Sequence, residues 1–230
     1  RIDPYDVATC GDSRIIWALN RHHWLVALGE AYRLSGDPRY AERFEETIRD
    51  WIRVNPVGMG INWASSSEAA HRLIAWCWAL ALFWPASVLT ADLLTLMLDE
   101  LRLHALHIER YLSHGHSSTW ALTVEALALF YAGSLFPELR RGERWRRKGQ
   151  AIFIRQITAD LSPGGRCRTP STSHQRRMIE ASLHFVLLAD RHGRPVSDEL
   201  RARVQALLEA ALPLRRPDGM MVQVGEADGE

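Results

Sequence analysis

Between Asn55 and Arg72 the sequence reads N-P-V-G-M-G-I-N-W-A-S-S-S-E-A-A-H-R. One short stretch thus brings together an amide (Asn62), a flat indole (Trp63), a carboxylate (Glu68) and a guanidinium (Arg72). That set suits a carbohydrate: the ring packs on C–H faces, and the polar groups bond hydroxyls or carboxylates. The competing reading is a capped helix with a surface ion pair. Ser65 to Ser67 offer N-cap oxygens, and Glu68 precedes Arg72 by one turn in the favourable acid-before-base order. Upstream, Asn20 and Arg21 fall between Trp17 and Trp24 on an apolar stripe, where a polar residue is either a satisfied core group or part of a cleft. His104 and His107, three apart, have no third metal ligand in view. Cys10, Cys77 and Cys167 show no metal spacing, and an odd number makes a poor disulfide framework. No metal or cofactor is expected.

These residues need elements to hold them. At 230 residues one large domain is expected. The net charge of +1 argues against nucleic acid or an anionic membrane as partner. No apolar run is long enough to span a bilayer. The chain starts at Arg1, without methionine or signal peptide, so it is expected to be a piece of a longer protein. Nine tryptophans is a high count for this length; most must be core by default, but a surplus of flat rings suits a sugar cleft.

Read in order, the chain is helical. Trp17, Trp24, Leu28 and Ala31 predict one helix over 13–34. Asp37 and Pro38 fit N-cap and first position of the next, whose stripe is Tyr40, Phe44, Ile48, Trp51 and Ile52. After Ser67 the run from Leu73 to Trp84 is apolar all round and predicts an inner helix, ended near Pro85. Thr90 caps a helix to about Leu112. Ser113–Thr119 reads as a loop, and Trp120–Leu135, with Glu125 inside it, as a second inner helix. Pro137 and Glu138 open a polar outer helix, whose Arg140 to Lys148 form a solvated surface or a basic strip for an anionic polymer. After the turn at Ser162–Gly165, helices are expected over 178–189 and 198–211. Alternating outer and inner helices with no period-two strands predict an all-α fold, either a superhelix or an α/α toroid. Polar, glycine-containing loops before the inner helices favour the toroid, where they line a shared cleft.

The segments W-A-L-N-R-H-H-W-L-V-A-L-G-E-A-Y, S-G-D-P-R-Y, D-W-I-R-V-N-P-V-G-M-G-I-N-W-A-S-S-S-E-A-A-H-R and E-A-L-A-L-F-Y-A-G-S-L-F-P-E resemble the N-terminal toroid of the heparinase II/III family. P-D-G-M-M-V-Q-V-G-E-A-D-G resembles the run into that family's C-terminal β-sandwich. The resemblance implies an incomplete α/α toroid of antiparallel helix pairs over 1–216, with 217–230 opening the connection to a sandwich absent from this chain. It further implies a polysaccharide lyase of periplasmic or secreted origin, acting on uronic-acid polymers such as heparan sulfate or alginate. Its β-elimination binds the uronate carboxylate, removes the C5 proton with a base and protonates the leaving oxygen with an acid. The family commonly uses an asparagine before an inner helix and a tyrosine–histidine pair before a later one. Here Thr119 or Trp120 stands at the asparagine, His174 at the tyrosine and Gln175 at the histidine. Ala18 replaces a usual glutamate.

Two functions follow. In one, the chain is the toroid of a lyase with an altered site. His174 is the base or acid, Gln175, Asn62 or Arg21 binds the carboxylate, and Trp63 or Trp120 stacks on a sugar. In the other, the chemistry has decayed and the toroid only binds glycan. A glycoside hydrolase would need facing carboxylates, for which Glu68 and Glu125 are the candidates. Asn20, Asn62, Trp63, Glu68, Arg72 and His174 are expected to share one cleft. Acidic polysaccharide is the expected partner, with Arg21, Arg72 and Arg176 as planar donors.

Overall fold

The structure, a computed structural model, describes residues 11–114, 119–162 and 164–225. Cys10, positions 115–118 of the expected loop, Pro163 and the end of the expected connection (226–230) lie outside these. The described residues form α-helices with two short 3₁₀ turns and isolated bridges. None of these helices is long and apolar enough to cross a membrane. The chain divides into two compact units, 1–113 with 138–140, and 114–137 with 141–230.

The first unit holds α1 (Ser13–Asn20), α2 (Trp24–Ser35), α3 (Pro38–Val54), α4 (Ser66–Phe83) and α5 (Ala91–Arg110), with a 3₁₀ turn at Ile61–Trp63 before α4. Helix α4 packs on both α2 and α5 and buries more than one side, Leu73, Ala75, Trp76, Cys77, Ala79, Leu80 and Phe83, while Trp78 and Trp84 of the same apolar run are exposed. Helix α3 has one buried face, Ala41, Phe44, Ile48 and Trp51, as its stripe predicts. Asp37 accepts from the Arg39 amide with Pro38 at the first helical position, and Thr90 accepts from the Leu93 amide.

The single helix expected over 13–34 is broken. His22 adopts φ 61°, left-handed for a residue with a side chain, and a new helix begins at Trp24. The helical spacing of the tryptophans runs across the break and conceals it. The serines before α4 also act otherwise than expected. Ser65 sits at the N-cap without a side-chain cap bond, its hydroxyl meets that of Ser67 at 2.9 Å, and Ser66 donates to the Tyr111 carbonyl.

The second unit holds α6 (Thr119–Leu135), α7 (Gly142–Asp160), α8 (Thr172–Arg191) and α9 (Asp198–Ala211). Helix α6 is the expected inner helix and packs on α7 and α8. Glycines allow its approach to α7. A Cβ on Gly149 would stand 2.5 Å from the Ala126 carbonyl oxygen and the Phe130 nitrogen, and one on Gly133 would strike the Gly142 carbonyl. The outer helix begins at Gly142 rather than Pro137, because 137–141 turn first. Its Arg146 is buried and forks onto Glu143, so it is not part of a solvated surface. Helix α8 starts at Thr172, before the apolar run at Met178, because Ser171 accepts from the His174 amide and caps it.

Candidate functional site

In the first unit the sequence-selected residues Asn20, Arg21, Asn62, Trp63, Glu68 and Arg72 come together with Trp51, read from the sequence only as part of an apolar stripe, His104, weighed there only as a metal ligand, and His22, which that reading passed over. Arg72 is fully buried. Its Nε donates to His104 Nε2 at 2.9 Å, Nη1 to the Asn20 carbonyl at 3.2 Å and Nη2 to the Asn62 carbonyl at 2.9 Å. The guanidinium carbon lies 4.4 Å from the Trp51 ring centroid and 5.4 Å from that of Trp63. Burial pulls Arg72 down to about 9, which leaves it cationic at neutral pH. The cation therefore faces protein acceptors and indole rings. Glu68 accepts from Arg21 through Nε at 2.7 Å and Nη2 at 3.0 Å, a bidentate pair across two helices in place of the expected i,i+4 pair with Arg72.

Asparagines finish the knot. Asn20 Oδ1 accepts from Trp51 Nε1 at 2.8 Å and Asn62 Nδ2 at 3.2 Å, and Asn62 Nδ2 also donates to Asn55 Oδ1 at 2.7 Å. Trp63 Nε1 donates to the Asn55 carbonyl, and Trp17 Nε1 to the Ile61 carbonyl. The N-P-V-G-M-G-I-N-W loop is thus tied to α1, α3 and α4. The histidines are neutral by construction. His104 accepts from Arg72 on Nε2, so its Nδ1 proton goes to the Glu100 carbonyl at 2.7 Å. His22 Nδ1 accepts from Trp76 Nε1 at 2.8 Å, with the two rings nearly parallel, edge to edge, and their centroids 6.0 Å apart. Burial and the nearby Arg72 charge push His22 down to about 3, His107 to about 4 and His104 well below its ordinary value.

The second unit carries His174, Gln175 and Trp120. His174 Nε2 lies 2.7 Å from Asp160 Oδ2, and both residues are buried. Gln175 spends its amide on backbone: Oε1 accepts from the Cys167 amide at 3.0 Å, and Nε2 donates to the Gly165 and Leu207 carbonyls. Burial, with the Asp160 carboxylate beside it, pushes the Cys167 thiol up to about 12. Asp160, Cys167 and His174 offer ligand atoms within 4.8 Å of one another. The sequence reading missed Asp160 and set Cys167 aside for want of metal spacing. They lie on a helix end and a loop, with no short spacing to betray them. Trp120 is half-buried, with the Arg177 guanidinium carbon 6.0 Å from its ring. Arg166 and Arg168, either side of Cys167, are exposed.

Comparison with known proteins fits this architecture. The model of the heparinase II/III N-terminus matches residues 2–227. A heparin-sulfate lyase of Bacteroides stercoris is 31% identical over 175 residues, 67% of this chain and 26% of the relative. One from Bacteroides thetaiotaomicron is 28% identical over 150 residues, 64% of this chain and 21% of the relative. The chain therefore spans about a quarter of the length of these relatives. A solved heparinase III gene product matches with a TM-score of 0.72 at 26% identity, covering 90% of this chain and 36% of its own. A heparan sulfate lyase from Pedobacter heparinus, at 22% identity and a TM-score of 0.73 over 91% of this chain and 33% of its own, shows likeness of fold. The helix-pair fold is in line with the incomplete α/α toroid expected from the sequence. On the match of 2–227, the chain belongs to the heparinase II/III family and represents its N-terminus.

Proposed function

We propose that this chain is the helical, polymer-holding part of a lyase that cleaves uronic-acid glycans of the glycosaminoglycan type by β-elimination, and that it does not catalyse the elimination by itself. The observation that carries the reading is the family match over 2–227, together with relatives named as heparin-sulfate lyases. Exposed Arg166 and Arg168, with Arg177 over Trp120, are the proposed contacts for carboxylate or sulfate and for a sugar face. Arg21, Asn20, Asn62, Trp63, Glu68 and Arg72 are proposed to act through the loop that they hold. Residues 217–230 are proposed to lead to a C-terminal β-sandwich in the full-length protein.

Elimination needs the uronate carboxylate masked before C5 becomes acidic, and one missing donor to a developing anion costs about 10²–10³ in rate. Thr119 and Trp120 offer no amide at the family's asparagine position. His174 is engaged by Asp160, and Gln175 by three backbone groups. These engagements also favour a second reading, a glycan-binding domain whose lyase chemistry has been lost. The test follows the ultraviolet absorbance of unsaturated uronate on heparan sulfate, hyaluronan and alginate. Activity in the full-length protein and none in this chain supports the first reading, and none in either supports the second. Robust turnover by this chain, abolished by His174→Ala, overturns both.

A further inference from the structure

We infer that Asp160, Cys167 and His174 form a binding site for a thiophilic divalent cation, with Zn²⁺ the fitting ion. Three different donors, a carboxylate, a thiol and an imidazole, lie within 4.8 Å of one another. Around a tetrahedral Zn²⁺, with bonds of about 2.0–2.3 Å, ligand atoms stand roughly 3.3–3.7 Å apart. Opening the 2.7 Å contact between His174 and Asp160 by roughly 0.6–1.0 Å, with the thiol within 4.8 Å of both, approaches that geometry. The donor set decides the metal class: a thiolate with an imidazole selects Zn²⁺ and its neighbours over Mg²⁺ or Ca²⁺, which take oxygen cages.

The scaffold around the three donors is built to hold them. Asp160 ends α7, Cys167 lies on the following loop and His174 is in the first turn of α8. The Arg168 amide donates to the Asp160 carbonyl at 2.9 Å, and Leu161 and Cys167 form an antiparallel bridge. Gln175 fixes the loop from inside by accepting from the Cys167 amide and donating to the Gly165 carbonyl. Gly165 takes φ 73° with its Cα against the Ala206 backbone, where any side chain would collide. Outer partners of this kind orient metal ligands. On binding, the thiol proton leaves to solvent, so affinity rises with pH, and the ring proton of His174 sits on Nδ1, which frees Nε2 for the metal. Three protein ligands leave a fourth tetrahedral position for a water or an anionic oxygen. The site stands on these residues alone and does not depend on the polysaccharide reading.

The experiment titrates the metal-free 230-residue chain, kept reduced, with Co²⁺ and then Zn²⁺. The expected result is one Co²⁺ per chain with a thiolate-to-cobalt charge-transfer band in the ultraviolet, displaced by Zn²⁺. Cys167→Ser removes the band. His174→Ala and Asp160→Asn each weaken binding by at least about tenfold, and Gln175→Leu by about 10–100-fold. Cys77→Ala, in the other unit, leaves it intact. Circular dichroism follows the folding of each variant. A native chain with no band at stoichiometric Co²⁺ overturns the site whatever the variants do, and so does a band that survives Cys167→Ser.

Discussion

Arg72 shows how a residue chosen for chemistry can be spent on architecture. Its three bonded nitrogens point in different directions, to His104, the Asn20 carbonyl and the Asn62 carbonyl, and its plane meets Trp51. A lysine offers one compact charge and no flat face, so Arg72→Lys should not rescue what Arg72→Met loses. Both variants are expected to cost about 3–5 kcal/mol, because buried acceptors are left without the directed N–H donors of the guanidinium. Urea unfolding followed by tryptophan fluorescence measures this, and a lysine variant within about 1 kcal/mol of the native chain would refute the argument. Gln175 makes a parallel case. Gln175→Leu leaves the Cys167 amide and the Gly165 and Leu207 carbonyls without their partner, at a cost of about 2–3 kcal/mol. An unchanged urea midpoint would show that these groups find other partners. The sequence displayed Asn62, Glu68 and Arg72 as a group. It did not display whether they face solvent or one another, because a polar side chain at a helix mouth has the same spacing in either case.

Elements were more legible than residues. The all-round apolar runs of α4 and α6 and the one-sided stripe of α3 follow directly from burial on several sides or on one. Caps at Asp37 and Thr90 mark helix starts chemically. What failed were boundaries set by backbone conformation: the break at His22 has no glycine or proline beside it, and Pro137, read as the start of a helix, instead opens the turn before Gly142. The contact of α6 with α7 was also hidden, since Gly133 and Gly149 look like helix-weakening residues until the opposing backbone is known. Gly149→Ala raises helix propensity and yet should destabilise, by about 1–3 kcal/mol, as the new methyl meets the Ala126 carbonyl and the Phe130 nitrogen. A more stable variant would mean that the helices part without loss. Thermal unfolding distinguishes the two.

At the scale of the whole molecule, the buried histidines couple stability to pH. His22, His104, His107 and His184 all have pKa values lowered by burial. In the unfolded chain each returns to an ordinary value near 6.5. Below that pH the unfolded state binds more protons than the folded state, so stability falls as pH falls. The contribution is fully present above about 6.5 and is lost towards the depressed values, about 3 for His22 and about 4 for His107. Glu100 works the other way: burial raises its carboxyl, so protonating it favours the folded state as pH drops. Among the described residues, four lowered histidines oppose one raised carboxylate between pH 7 and pH 5, and the carboxyls of Asp12, Asp37 and Glu143, lowered by arginine partners, act in the histidines' direction at lower pH. Each fully buried histidine changes stability by at most about 1.4 kcal/mol per pH unit in that window. The urea midpoint is therefore expected to drop steadily between pH 7 and pH 5. Tryptophan fluorescence is the sensitive probe, since Trp51, Trp63 and Trp76 lie against His22 and His104. His22→Asn is the informative variant. Asparagine tolerates the left-handed backbone at that position and can still accept from Trp76, but it does not titrate. It should leave the midpoint at pH 7 nearly unchanged and flatten the acid slope. A midpoint that rises towards pH 5, or a slope identical in His22→Asn, would show that these rings do not stay neutral in the folded chain.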